Sequence, residues 1–212
     1  MSIDRCPAVW LDHCVVAIHD LDAGMAAFQS LTGVRPVYGG AHPSLGTHNA
    51  LVSLGAGCYL EILAPRPGGE LHPMVQEVGR FQSLTPILWA LATDDLVELR
   101  RVVQTAGFSV DEPTPGSRVT REGDTLRWSV CLLGAERPAN APFFIQWEQG
   151  TAHPALTAPP ACSLGVLTIA SVDREQLQQL LGAIGHSLTV LSGPTRTELS
   201  LETPHGTVTF HS

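Results

Sequence analysis

The sequence predicts an α+β fold made of repeated βαβββ modules, two of them paired into an open eight-stranded, barrel-like cleft, with a third module beside the pair. Three observations predict it. Three apolar strand-length runs are each followed by an amphipathic helical stretch that begins beside an aspartate and stops at a glycine. Those glycines, Gly33, Gly107 and Gly185, lie 74 and 78 residues apart, a period that marks an internal repeat. After each helix the apolar pattern changes to period two, as half-buried strands require.

The first strand covers residues 11–18, and its helix runs from about Asp20 to Gly33 with Leu21, Met25 and Phe28 on one face. Strands at 34–38, 47–54 and 59–63 follow, the last two joined by a turn at 55–57. A connector, residues 65–85, holds a short helix near 71–78. The second module repeats the order with a strand at 87–93, a helix from Asp94 or Asp95 to Gly107, and strands at 108–111, 126–133 and 143–148. The third has a strand at 164–171, a helix from Asp173 to Gly185, and strands at 186–191, 197–202 and 207–211. Aspartate at each helix start caps free N–H groups, and glycine at each end takes the left-handed conformation most readily. The divisions expected are therefore 9–64, 65–85, 86–150, a proline-rich linker at 151–162, and 163–212. Four strands and one helix leave an open sheet, so modules one and two close their core on each other. The third has no twin; it either flanks the pair or pairs across a subunit boundary to give a homodimer.

Composition narrows the chemistry. Of 212 residues 44% are apolar and 15% charged, with a net charge of −8, which excludes general disorder. All twelve basic residues are arginine. Without lysine there is no Schiff base, no lysine-held pyridoxal phosphate and no Walker-type nucleotide loop. An acidic chain with scattered arginines argues against nucleic acid. No apolar run approaches the roughly 20 residues of a membrane helix, and the start lacks a secretory apolar core, so a cytoplasmic protein is expected. Five widely spaced cysteines without a C-x-x-C pair read as reduced, mostly buried thiols.

The repeat, with Leu11-Asp12-His13 opening the first strand and Tyr59-Leu60-Glu61-Ile62-Leu63 as the fourth, resembles the vicinal oxygen chelate superfamily (glyoxalase, bleomycin resistance protein and dihydroxybiphenyl dioxygenase). The run from His42 to Leu51 and the later Arg118 and 121–128 segment are similar to its glyoxalase-like domain subgroup. The resemblance covers modules one and two. It implies a divalent metal, Zn, Fe, Mn, Ni or Co, held in the concave sheet by residues of first and fourth strands, where it polarises substrate oxygens. Carried over by position, His13 and Glu61 are the metal ligands, with Glu61 also catalytic. The second module departs from the pattern: Ile87 or Leu88 stands where His13 does, and Gln146 where Glu61 does. Gln146 and Glu148 are the residues left to complete or flank the metal, with His48 and His42 as further third-ligand candidates; the third module offers Gly165. The resemblance thus implies a lyase or isomerase acting on a small oxygen-rich metabolite, or, given the missing histidine, a metal-free binding protein for small molecules.

The residues themselves leave alternatives open. His13 and Glu61 on apolar strands are either a hydrogen-bonded core pair or ligands. The 42–49 segment is either an ordinary turn or a rim on which His42 carries a proton and His48 and Asn49 orient substrate. Arg121 is either solvated or a two-point clamp for a carboxylate. Trp128 and Trp147 are either core or the apolar wall of a substrate cleft. The other histidines, His153 among them, read as surface residues.

Overall fold

The computed structural model describes residues 7–69, 72–120 and 123–212. Arg121, and the first residue of the helix expected at 71–78, lie outside the described residues.

The first module runs β1 (Val9–Ala17), α1 (Leu21–Thr32), β2 (Val37–His42), a 3-10 turn (Pro43–Leu45), β3 (Thr47–Gly55) and β4 (Cys58–Pro65). Then come α2 (Pro73–Val78), β5 (Thr85–Thr93), α3 (Leu96–Thr105), β6 (Thr114–Val119), β7 (Thr125–Cys131) and β8 (Phe143–Trp147). The rest of the chain forms α4 (Pro154–Thr157), β9 (Ser163–Ser171), α5 (Arg174–Ala183), β10 (Thr189–Ser192), β11 (Arg196–Thr203) and β12 (Gly206–His211). The predicted α+β repeat is present.

Asp20 accepts a bond from the Ala23 N–H and Asp95 one from Glu98, so two of the helices are capped as expected. Asp173 instead accepts from the Ala139 N–H, tying α5 to the loop before β8. Past the helix ends, Gly33, Gly107 and Gly185 have φ of 77°, 92° and 68°, the left-handed turn predicted for them. The strand expected at 108–111 is reduced to one bridge, Val110 to Leu133, and the second strand of that module forms later, as β6.

Rather than an open cleft, the first eight strands form a closed barrel in the order β1-β4-β3-β2-β6-β7-β8-β5. One seam is the antiparallel β1–β5 pair; the other, β2–β6, rests on the single register pair Ala41–Val119. Each module contributes the same four-strand order, so the barrel has approximate two-fold symmetry. The third module does not share that wiring. Its sheet runs β10-β9-β11-β12, with β9 paired in parallel to β10 and antiparallel to β11, although its element order follows the repeat.

The third module flanks the barrel. Cys14, Val16, Phe28, Trp89, Leu91, Leu99, Leu167, Ile169, Leu199 and Phe210 belong to one core between the outer barrel wall, the helices and the third sheet. Phe28 and Phe210 stack at 6.0 Å; burying a side chain of this size contributes roughly 1.5–3 kcal/mol. Cys14 and Val16 of β1 and Ala50, Val52 and Leu54 of β3 face this core, which turns His13 and Val15 of β1 and Asn49 of β3 into the barrel. Ser53 donates to the Ala155 carbonyl at 2.7 Å, and Ala155 and Ala158 pack on Leu51 and Tyr59. The linker helix α4 thereby closes one end of the barrel, while α2 packs on Val15, Ala17 and Leu63 towards the other. No helix among the described residues is long and apolar enough to cross a membrane.

Candidate functional site

The barrel interior holds a cavity of about 390 Å³, within the roughly 300–1,000 Å³ of small-molecule sites. Its buried polar groups lie close together. His13 (β1), His42 (end of β2), Asn49 (β3) and Glu61 (β4) come from the first module, and Arg118 (β6) comes from the second. The other second-module strand residues around it are mostly apolar: Leu88, Val130, Phe143, Ile145 and the indoles of Trp128 and Trp147.

A β-bulge organises the first strand. Leu11 pairs with Leu91 and His13 with Ala90, which leaves Asp12 as the extra residue; such an insertion re-aims a side chain. Fully buried, Asp12 meets His13 Nδ1 at 2.5 Å and, through its other oxygen, Trp147 Nε1 and His153 Nε2 at 3.0 Å each. His153 Nδ1 accepts from the Ala155 N–H, so its proton is on Nε2. Asp12 thus receives donors on both oxygens. Burial pushes its carboxyl up, but the bonds from His13 and His153 outweigh that and hold it well below the ordinary value. In the neutral ring an ionised Asp12 fixes the His13 proton on Nδ1 and leaves Nε2 as a bare electron pair. The His13 ring is stacked on Tyr59 at 4.6 Å and edge-on to Phe143 at 5.4 Å.

That electron pair faces another acceptor. His13 Nε2 lies 3.7 Å from Glu61 Oε2, too far for a hydrogen bond, and His42 Nε2 lies 3.9 Å from Glu61 Oε1. Asn49 orders the group: its Nδ2 donates to Glu61 Oε1 at 2.6 Å and lies 3.4 Å from His42 Nε2, while its Oδ1 accepts from Arg118 Nη1 at 2.9 Å. Since Asn49 presents a donor, His42 Nε2 is an acceptor and Nδ1 donates to Thr47 Oγ1 at 3.1 Å. Burial would raise the Glu61 carboxyl, yet the pull of the His42 and His13 rings when protonated, the Asn49 amide and the Arg118 cation hold it below the usual range; with both rings neutral, Asn49 and Arg118 carry that effect. Burial depresses His42, partly countered by Glu61, so that ring is neutral near pH 7.

The sequence-derived candidates divide accordingly. His13, Glu61, His42, Asn49, Trp128 and Trp147 share the cavity. His48 points to the outer face, edge-on to Tyr38 at 6.1 Å, because it is out of phase with Asn49 on β3. Gln146 also faces outward; it accepts from the Leu96 N–H and donates to the Asp94 carbonyl, fastening the start of α3. Glu148 lies beyond β8 and near Arg127, 3.9 Å away. Neither residue supplies a donor to the cavity, since β8 turns Phe143, Ile145 and Trp147 inward. Asp12, His153, Tyr59 and Arg118 are site residues that the sequence did not single out as such. An aspartate beside a histidine inside an apolar run was the one available signal.

A divalent ion fits His13 and Glu61 as a pair of ligands. Asp12 behind His13 is the carboxylate–histidine support that such ligands commonly have. Among the described residues no group of three or more His, Cys, Asp and Glu is gathered to hold an ion, so the protein would supply few ligands and hold metal weakly. The buried thiols are not nucleophiles: burial pushes Cys58 up to about 12 and Cys14 well above its ordinary value.

A barrel of two paired βαβββ modules enclosing polar groups on its first and fourth strands defines a vicinal-oxygen-chelate protein. More narrowly, residues 11–185 match the model of the glyoxalase-like domain, and the chain belongs to that family. Among curated proteins none matches. A hypothetical protein from Staphylococcus aureus superposes with a TM-score of 0.67 at 17% identity, covering 96% of this chain and 85% of its own; that likeness is one of fold. Methylmalonyl-CoA epimerase from Mycobacterium tuberculosis superposes with a TM-score of 0.47 at 18% identity, covering 65% of this chain and 86% of its own.

Proposed function

We propose that the protein is a lyase- or isomerase-type enzyme that shifts a proton on a small, oxygen-bearing molecule bound inside the barrel. The observation that carries this reading is the facing pair of acceptors, His13 Nε2 and Glu61 Oε2, 3.7 Å apart with no donor of the described residues between them. Two electron pairs aimed at one space call for something electron-poor, either an acidic hydrogen of the substrate or a cation. Asp12 holds His13 in the tautomer this requires. Asn49 and Arg118 keep Glu61 ionised, and neutral His42, beside Glu61, is placed to take up or return a proton. Apolar walls exclude water from the reacting centre. A divalent ion held by His13 and Glu61 would act as a Lewis acid towards substrate oxygens.

The test is solvent proton exchange. Incubated in deuterated buffer with a panel of small 2-oxo and 2-hydroxy acids, with and without added Mn²⁺, Co²⁺, Ni²⁺, Zn²⁺ or Fe²⁺, the protein should catalyse exchange at the carbon beside the carbonyl or hydroxyl. His13→Ala and Glu61→Gln should each lower the rate at least 100-fold. Exchange at equal rates in those variants, or none with any acid and metal, would overturn the assignment. The apolar second-module wall favours a second reading, metal-free sequestration of an apolar molecule. Tight binding that is indifferent to metal, without exchange, would select it.

A further inference from the structure

We infer that Arg118 is the anchor for an anionic group, so that the cavity takes a small carboxylate with an apolar body. The inference rests on reading the cavity as the ligand site and adds the class of ligand.

Arg118 is 4% exposed and lines the cavity. Its described partner is a neutral amide oxygen, Asn49 Oδ1, reached through Nη1. Among the described residues no carboxylate lies within ion-pair distance of it, and its Nε is buried without any hydrogen-bond partner. A buried guanidinium with one bond to an amide is costly, because burial removes its water and the remaining donors go unanswered. Nη1 is engaged with Asn49, and no described group bonds Nε or Nη2, the edge whose spacing matches the two oxygens of a carboxylate; Nε is enclosed, so a carboxylate in the cavity meets that edge through a small turn of the side chain.

The chain makes room for this arginine. A Cβ on Gly39 would collide with Asn49 Oδ1 and come within 2.6 Å of Arg118 Nη1 and 2.8 Å of Leu51 Cγ, and a Cβ on Gly40 within 2.7 Å of the Val119 carbonyl. Two successive glycines on β2 thus let β6 bring the guanidinium against Asn49. Asn49 stands between Arg118 and Glu61, so the cation is not consumed by the buried carboxylate. Trp128 on the neighbouring β7, paired with Gly116, and Trp147 on β8, 5.4 Å from it, line the same cavity with Phe143 and Ile145 and offer a surface for an apolar body.

The experiment compares phenylacetate with phenylacetamide, near-isosteres that differ in charge, by calorimetric titration of the full-length protein. Wild type should bind the carboxylate at least 10-fold more tightly. Arg118→Gln should abolish that preference while leaving phenylacetamide affinity within about 3-fold, and Arg118→Lys should restore only part of it. Should Arg118→Gln fail to fold, Arg118→Met, which keeps an unbranched apolar stem and removes the charge, should abolish the preference instead. Equal affinity of wild type for the two compounds would overturn the anchor while leaving the cavity as a binding site. Preference that survives Arg118→Gln would overturn it equally. Because binding is read rather than turnover, a protein without proton-exchange activity still passes or fails.

Discussion

Replacing Asp12 with asparagine removes a charge and almost no volume, and the geometry says how the network would respond. One oxygen of Asp12 serves both Trp147 Nε1 and His153 Nε2 at 3.0 Å, and the other serves His13 Nδ1. The indole can only donate, and His153 is held as a donor by the Ala155 N–H on its other nitrogen. The new amide therefore turns its oxygen to that pair and its NH₂ to His13, which becomes an acceptor at Nδ1 and carries its proton on Nε2. No donor is orphaned, but three bonds lose their charge assistance at about 1 kcal/mol each, so a loss of about 2–3 kcal/mol is expected. The acid dependence has a definite sign. Because the folded Asp12 lies below its ordinary 3.8, its contribution is full above that value and is lost as pH falls towards the folded one. Chemical denaturation followed by circular dichroism should show Asp12→Asn weaker than wild type by that amount at pH 7, with the gap narrowing at pH 3. Proton exchange should fall with it, since Nε2 no longer offers an electron pair. A variant within about 0.5 kcal/mol of wild type at pH 7, or a gap that is constant with pH, would refute this picture of the network.

Asn49→Leu leaves Glu61 Oε1 and Arg118 Nη1 without their shared partner and should cost about 2–4 kcal/mol in denaturant unfolding. His42 is depressed in the folded state by burial, so protonation favours unfolding; stability should drop as pH falls below about 6.5, and His42→Gln should drop less between pH 7.5 and 5.5. Ser53→Ala removes the bond to the Ala155 carbonyl; it should cost about 1 kcal/mol and speed amide exchange in residues 153–159 when read by mass spectrometry.

The architecture was legible because its signals are local. An aspartate before a helix and a glycine after it are signals within one turn of its ends, so the three helices could be placed from Asp20, Asp95, Asp173 and their paired glycines, even though the Asp173 side chain bonds Ala139 and does not cap α5. The wiring of the third sheet was not legible, since β9 to β12 carry the same order of elements as the barrel modules and differ in which strands pair. Site residues followed the same division. His13 and Glu61 stand out as polar residues in apolar strands, but the phase of β8 does not, because Phe143, Phe144, Ile145 and Trp147 put apolar groups on both of its faces. Gln146 became a ligand candidate by its match to Glu61 in the repeat, and that ambiguity hid that it faces outward and fastens α3. Asp12 enters the site through a bulge and His153 through the packing of a linker, and neither leaves a periodic trace. Arg118 is buried by tertiary packing against Gly39 and Gly40, which no local signal marks.

The claim on which the account turns is that His13 presents an unprotonated Nε2 to Glu61 across a shared space. Long-range ¹H–¹⁵N NMR of histidine-labelled protein at neutral pH, recorded before and after addition of Zn²⁺, measures it directly. The account predicts the Nδ1–H tautomer of His13, with Zn²⁺ shifting Nε2 in wild type and not in Glu61→Gln. A His13 ring carrying its proton on Nε2, with no response to the ion, would contradict it.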